Sequence, residues 1–558
     1  MKDRFLKILA GIIIVTGLYA CLKESALDER PPHLITTETL YTSLAGFEAG
    51  VNSLYSRVRL ESAGGNGHRS ETFKTGTDVL AANSAIRAGG FSLIAQEWGA
   101  LLNPNHDYIY NIFSWLYSVI NGANTIISQA ESRDDVDWYG GAASPAENQN
   151  RILAEARAIR AWAYRHLSYG WGDVPLSLEE SRGSNIRTDW ERAPVGQVRR
   201  RIISDLLFAE KHIPVEPQLR GRLTKGAVQH YLSEMYLAVN KPDSALYWAN
   251  RVIDTPEYQL VTERYGVKAD RPGVPFADMF YDGNSNRDQG NSEALWVFQF
   301  ERGVPGGGGS SRRRIHLSRY ADWVVGGVRP LQNTVERGGR GGTRCSVTNF
   351  FMNELFEDQD DRFSEFSVRT FYVLKNQHAH GEPPDRLPPG YSYGDTIWVD
   401  WTEPLSPTNR VNVNRPFLRK MEGAYAENPN ASGNQFNAEP YLRLAETYML
   451  KAEAEYLLGM LDDAAETLNI IRRRSNASEI SAADVDIDFI LDERARELTM
   501  EEHRRWTLLR TGKWIERTSA NNFNGGQFIT ERDKLFPIPQ AVIDANLTGE
   551  MPQNPGYN

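Results

Sequence analysis

Aromatic side chains in non-helical stretches are the residues of this chain best suited to chemistry in water. That chemistry is stacking. An indole or phenol ring offers a flat face to the apolar face of a sugar, while Asn, Asp, Gln or Arg at the rim take its hydroxyls. Trp98, Tyr320, Trp323, Tyr391, Tyr393, Trp398 and Trp401 stand in such stretches. Trp98, Tyr320 and Trp323 are the preferred ligand set. Trp98 sits in a Gly-bounded segment, and the other two follow a Gly- and Arg-rich loop able to close over a chain. Trp115, Trp162, Trp248 and Trp506 fall on helical stripes and are read as core. For every loop ring, packing beneath its own loop is the competing role, and the commoner one.

Catalytic patterns are sparse. No spacing among the 72 Asp and Glu residues singles out a pair flanking a scissile bond. The GxSxG at Gly390–Gly394 follows Pro388-Pro389 and precedes a β-like run, Thr396 to Val399. A nucleophile elbow needs a strand before it and a helix after it, so this one reads as a turn. His378 and His380 lie in a polar loop and read as solvated surface. The glycine-rich loops at 306–309 and 338–342 lack the Gly-Lys-Ser/Thr helix start of a phosphate cradle. Arg312, Arg313 and Arg314, with Arg337 and Arg340 nearby, read as a mobile, locally positive surface loop; contact with an anionic sugar is the other possibility.

Asp282, Asn284, Asn286, Asp288 and Glu293 occupy positions 1, 3, 5, 7 and 12 of an EF-hand-like register. Oxygen ligands at that spacing suit Ca²⁺. Arg287 replaces the turn glycine, however, and an Asn-rich turn is the stronger reading, so no cofactor is expected. The acidic run Asp484, Asp486, Asp488 reads as the start of a helix, where negative charge favours the dipole.

Lys2, Arg4 and Lys7 precede an apolar stretch from Ile8 to Val15. That stretch is far short of the ~20 residues needed to span a bilayer, and reads as the core of a signal peptide over 1–20. Leu18-Tyr19-Ala20-Cys21 resembles the lipobox of bacterial lipoproteins, making Cys21 the acylated residue; an ordinary thiol after a conventional cleavage site is the alternative. The only other cysteine is Cys345, so a lipidated chain has no intramolecular disulfide and must rest on its core. A net charge of -10 lacks the basic footprint of a nucleic-acid binder.

The elements that must position these residues are mostly helical. A polar tether over 21–33 leads into apolar and small residues recurring at helical spacing, in blocks from about 43 to 254 and 441 to 514. Ile152, Ala156, Ile159, Ala163 and Leu167 form one stripe. Segments 222–254 and 441–474 both read as helix–turn–helix, with turns at Asn240-Lys241-Pro242 and Gly459. Tyr236 and Ala245 are nine apart, as are Tyr456 and Ala465, the spacing of a tetratricopeptide-like pair in which a small residue admits the second helix. The fold class expected is all-α dominated: a tetratricopeptide-like superhelix with irregular, loop-rich ligand-binding segments. The halves are placed at 34–290 and 291–558, the second with a loop-rich segment 300–435 and final repeats 440–515.

Four segments together resemble the SusD/RagB family of outer-membrane nutrient-uptake lipoproteins. They are Glu155 through Tyr164 to Trp171-Gly172-Asp173-Val174-Pro175-Leu176; Arg222 to Ala227; Tyr441 to Glu446 with Lys451 to Ala454 and Asn469 to Arg472; and Glu493 through Trp506 to Lys513, with Phe536 to Pro539 and Gln553 to Tyr557. The resemblance spans nearly the whole chain after Cys21, thinly at 60–105 and 300–430. Arg494 and Glu497, with Arg510 and Lys513, read as charged scaffold pairing between helices.

The resemblance implies a lipid-anchored protein at the cell surface that captures an oligosaccharide and delivers it to a TonB-dependent, SusC-like outer-membrane barrel. It implies binding without catalysis, a docking role for the repeat face, and no nucleic-acid partner. The alternative is a peptide- or protein-binding repeat lipoprotein, either in peptide uptake or as a periplasmic adaptor.

Overall fold

Ser144 and Glu147 start one of the two longest helices by capping one another. Ser144 Oγ accepts the Glu147 N–H at 3.3 Å, and Glu147 Oε2 accepts the Ser144 N–H at 2.8 Å, with Pro145 at the first helical position. Local signals of this kind recur through the computed structural model, which describes residues 36–557 except 64–68, 84–89, 184, 403–412 and 424–433. The signal segment 1–20 and the whole tether 21–33, Cys21 included, lie outside the described residues.

Among the described residues, eleven helices carry the scaffold. Six belong to the first half: α1 (Leu44–Val58), α2 (Asp107–Ser132), α3 (Pro145–Gly170), α4 (Val195–His212), α5 (Lys225–Ala238) and α6 (Pro242–Ile253). Five belong to the second: α7 (Leu444–Leu457), α8 (Leu461–Arg474), α9 (Ile487–Leu498), α10 (Arg504–Arg510) and α11 (Trp514–Asn521). Among the described residues, strands occur only as small antiparallel pairs, so the chain is dominated by a tetratricopeptide-like helical scaffold.

The small-residue stripe makes α3 the hub. Ala154, Ala156, Ala158, Ala161 and Ala163 are all buried, and α3 packs against α2 on one side and α4 on the other. The turn predictions hold too. Asn240 takes φ of 56° before Pro242 opens α6, and Gly459 takes φ of 76° between α7 and α8. Ala245 and Ala465 are both buried, as the nine-residue spacing requires. Helices α5 and α6 pack on α7, Leu237 of α5 and Ala245 of α6 meeting Leu450 and Ala454 of α7, which joins the two helical blocks. The main core accordingly draws on both sides of residue 290.

The run Ala294–Phe298 pairs antiparallel with Glu439–Arg443, and all ten residues are buried. A strand covered on both faces reads as a continuous apolar run, as ALWVF does. This pair carries Arg443 into the interior, where it meets Glu293 at 2.8 Å, Glu497 at 3.0 Å and Glu501 at 2.6 Å. Arg474 meets the same Glu293 and Glu497 at 2.6 and 2.5 Å. The expected scaffold pairing is present: Arg494 bonds Glu502 and Glu446, Arg510 bonds Glu453, and Glu497 joins the Arg443 network. The C-terminal tail closes on α3, with the Phe536 N–H on the Gly170 carbonyl at 2.7 Å and the Trp171 indole on Pro537 at 2.9 Å.

The loop-rich segment has a core of its own. Leu317, Tyr320, Phe351, Tyr372, Ile397, Val399, Phe417 and Met421 are among its members, from positions far apart in the chain.

Several expectations are corrected here. Trp98 is not a loop aromatic: Phe91–Glu97 forms a helix, and the indole is 0% exposed. It packs edge-on against Phe91 and Trp514, with the Arg505 guanidinium 5.0 Å above it. Tyr320 is also 0% exposed, its hydroxyl donating to the Gly339 carbonyl at 2.7 Å. Neither ring faces solvent, so neither has a face to offer a sugar.

The arginine loop is likewise ordered differently. Arg312–His316 is a short helix in which Arg312 and Arg313 are buried, Arg312 against Glu439 at 3.4 Å and Arg313 against the Gly423 carbonyl at 3.0 Å. Only Arg314 of the three is exposed.

Candidate functional site

Strand alternation builds the surface that survives these corrections. Phe371–Val373 pairs antiparallel with Thr396–Trp398, in the register Phe371↔Trp398, Tyr372↔Ile397 and Val373↔Thr396. Successive side chains point to opposite faces. Tyr372 and Ile397 therefore enter the loop-segment core, while Trp398 turns outward and is 65% exposed. The Phe371 ring stands 4.9 Å from the Trp398 indole at 47°, a tilted pair that holds the tryptophan on the sheet face.

Tyr391 and Tyr393 lie in the connection between these strands and are 36% and 42% exposed. Their loop is pinned at several points. Tyr393 donates its hydroxyl to the Asp385 carbonyl at 3.2 Å, and Gly394 N–H and Leu374 N–H bond across the hairpin at 2.8 and 2.9 Å. Asp385 is the buried post beneath. Its carboxylate takes two bonds from Arg337, at 2.8 and 2.6 Å, and the N–H of Lys375 at 2.9 Å. Burial alone would raise this carboxyl, but the Arg337 guanidinium outweighs it and holds Asp385 below the usual carboxylate range.

Trp323 and Trp401 are partly buried against the same core. The turn after Trp323 leans on Pro389, because a Cβ placed on Gly326 would meet the Pro389 ring at 3.0 Å. Of the seven aromatic candidates, then, Tyr391, Tyr393 and Trp398 are exposed, Trp323 and Trp401 are half-covered against the loop-segment core, and Trp98 and Tyr320 are core. Phe371 was missed. Its signal was the β-branched and aromatic content of Val368 to Val373, a run too short to register beside the helical stripes.

The remaining candidates are spoken for. Ser392 sits in a turn, its N–H on Asp395 Oδ2 at 2.7 Å, with no strand-to-helix elbow around it. His378 is buried, its Nε2 3.5 Å from Asp385, while His380 is exposed, so the two are not a solvated pair.

The calcium register does not converge. Asn284 Oδ1 accepts the Val267 N–H, Asn286 forms a capping box with Gln289, and Asp288 pairs with Arg220. Glu293 is taken by Arg443 and Arg474, and Asp282 is exposed. Asp486 caps α9 by accepting the Phe489 N–H at 2.7 Å, as its acidic start implies.

One cluster with metal-ligand composition was not foreseen: Glu61, His166 and His503, all buried. Hydrogen bonding decides its chemistry. His166 Nδ1 accepts the Trp506 indole N–H at 3.1 Å, and His503 Nδ1 accepts from Arg165 at 3.0 Å. Each neutral imidazole therefore carries its proton on Nε2, the nitrogen turned toward Glu61; His503 donates it to Glu61 Oε1 at 2.8 Å. A metal would need those Nε2 lone pairs. The cluster is a proton-filled core network, and Tyr441 completes it with a 2.6 Å bond to Glu61.

Comparison with known proteins matches two family models along the chain. Residues 27–237 match a family described as starch-binding associating with outer membrane, and residues 292–557 match the SusD family. A SusD-like protein P25 of Formosa agariphila is 25% identical over 523 residues, covering 91% of this chain and 90% of its own. Among solved structures, a laminarin-binding SusD-like protein aligns with a TM-score of 0.67 at 20% identity, over 92% of this chain and 99% of its own. The surface glycan-binding protein A of Bacteroides thetaiotaomicron, in complex with laminarihexaose, aligns with a TM-score of 0.65 at 19% identity, over 92% and 100%.

Proposed function

The chain belongs to the SusD/RagB family, and from that premise we propose that it is a lipid-anchored surface protein that binds an oligosaccharide and delivers it to a TonB-dependent, SusC-like outer-membrane transporter. The observation that carries the glycan reading is Trp398, an indole held 65% exposed on a strand braced by the second core. Leaving so large an apolar face in water has a cost that a stacking ligand recovers. Tyr391 and Tyr393 add exposed rings from the adjoining loop. Two structural neighbours bear names that tie them to laminarin or laminarihexaose, and the family model over 27–237 is described as starch-binding and outer-membrane-associated.

The chemistry assigned is capture without turnover. Rings and hydrogen-bonding rims bind a chain of sugars, and the family's members are binding proteins. Acylation of Cys21 supplies the membrane attachment, since two buried acyl chains anchor stably where one is marginal.

Affinity electrophoresis of the purified full chain through gels containing laminarin and a panel of other polysaccharides tests this. At least one polysaccharide should retard the protein, and Trp398→Ala should relieve the retardation with an unchanged thermal melt. Unretarded migration on every polysaccharide, alongside capture of peptides, would move the assignment to peptide uptake.

A further inference from the structure

A separate cleft of about 410 Å³ opens where the end of α3, the Gly172-Asp173 turn, the start of α4 and the C-terminal tail meet. Four cations line it, Arg192, Arg199, Arg510 and Lys534, against one carboxylate, Asp173. Two of the cations are neutralised nearby: Arg510 by Glu453 at 2.7 Å and Lys534 by Glu531 at 2.7 Å. Arg192 and Arg199 are in no such ion pair, although the Asp173 carboxylate acts on Arg192 through space. Among the described residues neither has a carboxylate partner within ion-pair distance; they donate instead to the carbonyls of Asp173, Pro552 and Ala238 and to Asn554. Asp173 is itself occupied, with its Oδ1 accepting the Val195 N–H at 2.7 Å at the first turn of α4.

The wall of the cleft holds a second, independent feature. Tyr169 is 3% exposed, and its hydroxyl is buried with no hydrogen-bond partner. Buried hydroxyls are nearly always bonded, so a donor without an acceptor marks an unfilled position. The Arg199 guanidinium lies 5.5 Å over the Tyr169 ring, and its buried Nε is also unpartnered. Val195, Leu509, Leu535 and Pro555 supply apolar walls that strengthen any charge contact made inside.

We propose that this cleft binds an oxyanion, a carboxylate or sulfate group, with Arg192 and Arg199 supplying positive charge not committed to an ion pair and the Tyr169 hydroxyl donating a hydrogen bond. Its volume admits a monosaccharide bearing such a group. The oxyanion chemistry rests on the cleft alone; only its attachment to a sugar rests on the glycan reading.

Titration calorimetry on the full chain, with inorganic sulfate, glucuronate and methyl glucoside as probes, tests the assignment. Sulfate or glucuronate should bind, and Tyr169→Phe or Arg199→Gln should each weaken that binding about tenfold. Methyl glucoside should give no heat in this cleft. Trp398→Ala should leave sulfate binding intact, which separates a failure here from a failure of the aromatic surface. No binding of either anion, binding unaltered in both variants, or equal binding of methyl glucoside would overturn the proposal.

Discussion

Arg337 clasps Asp385 with two N–H···O bonds of 2.8 and 2.6 Å beneath the hairpin that displays Trp398, and both side chains are buried. Arg337 also donates to the Val373 carbonyl at 2.9 Å, so one guanidinium ties the strand to the loop. Removing one partner of a buried pair leaves an uncompensated charge and costs ~3–5 kcal/mol. Asp385→Ala should lower the unfolding free energy by about that much. It should also weaken glycan binding, because the Lys375 N–H loses its acceptor and the Asp385 carbonyl that holds Tyr393 is no longer fixed by a clasped side chain. Urea melts and affinity gels on the same preparation check both effects; loss of neither would mean that the loop is held elsewhere.

Trp98 and Trp398 should respond oppositely to alanine. Trp98 fills the space between Phe91, Trp514 and Arg505, so Trp98→Ala should cost about 3–5 kcal/mol of stability. Trp398→Ala removes an exposed ring and should weaken glycan affinity about tenfold while the melting temperature barely moves. Equal destabilisation by both would show that Trp398 is packed in solution.

The contrast between these tryptophans also marks how far the sequence could be read. Helical elements announced themselves, because an apolar stripe repeats over many turns and an acidic helix start such as Asp486 is local. The tight turns at Asn240 and Gly459 were equally plain. Trp98 misled because its helix is a single short stretch bounded by glycines, with too few residues to show a period. Tyr320, Arg312 and Arg313 misled for another reason. Tyr320 is buried in a core assembled from positions between 79 and 500, and Arg312 and Arg313 against Glu439 and Gly423; no local pattern encodes such partners. Glu293, the last position of the calcium-like register, likewise answers to Arg443 and Arg474, more than a hundred residues distant.

Overpacking tests the helix–helix contacts. Ala163 and Ala245 are both fully buried, Ala163 in the central helix and Ala245 at the junction of α6 with α7. Tryptophan at either position should cost at least ~1–3 kcal/mol, because the facing backbone cannot retreat without breaking other contacts. An unchanged thermal melt for both variants would show that these faces separate in solution.

Cys21→Ala should remove the acyl anchor and the ~0.8 kcal/mol that each buried methylene contributes. The variant should appear in the soluble fraction and take up no labelled palmitate. If it still sediments with outer membranes and carries label, the lipid is elsewhere.

Stability should fall with acid in two stages of different steepness. Burial pushes His166, His230 and His503 below the ordinary histidine range, His230 to about 3. Below about pH 6.5 the unfolded chain binds protons that these folded histidines refuse, so folding loses up to about 1.4 kcal/mol per pH unit for each. Two carboxyls act in the opposite sense. Burial raises Glu71 and Glu446 to about 7, so between about pH 7 and 4.5 the folded chain holds two protons that the unfolded chain lacks. Three against two leaves a shallow net loss from about pH 6.5 to 4.5, to which the downward shifts that burial gives His106 and His212 add. Under about pH 4.5 the opposition ends, because unfolded glutamates protonate as well. Glu234 and Glu493 then add to the loss. Burial would raise them, but Arg165 and Arg362 outweigh it and hold both at about 2, so they stay charged in the folded state. Urea denaturation across this range should therefore show a gentle slope that steepens near about pH 4.5. Glu446→Gln removes one of the opposing groups and should make the upper interval visibly steeper. A flat profile down to about pH 4, in parent and variant alike, would mean that these groups titrate no differently on folding.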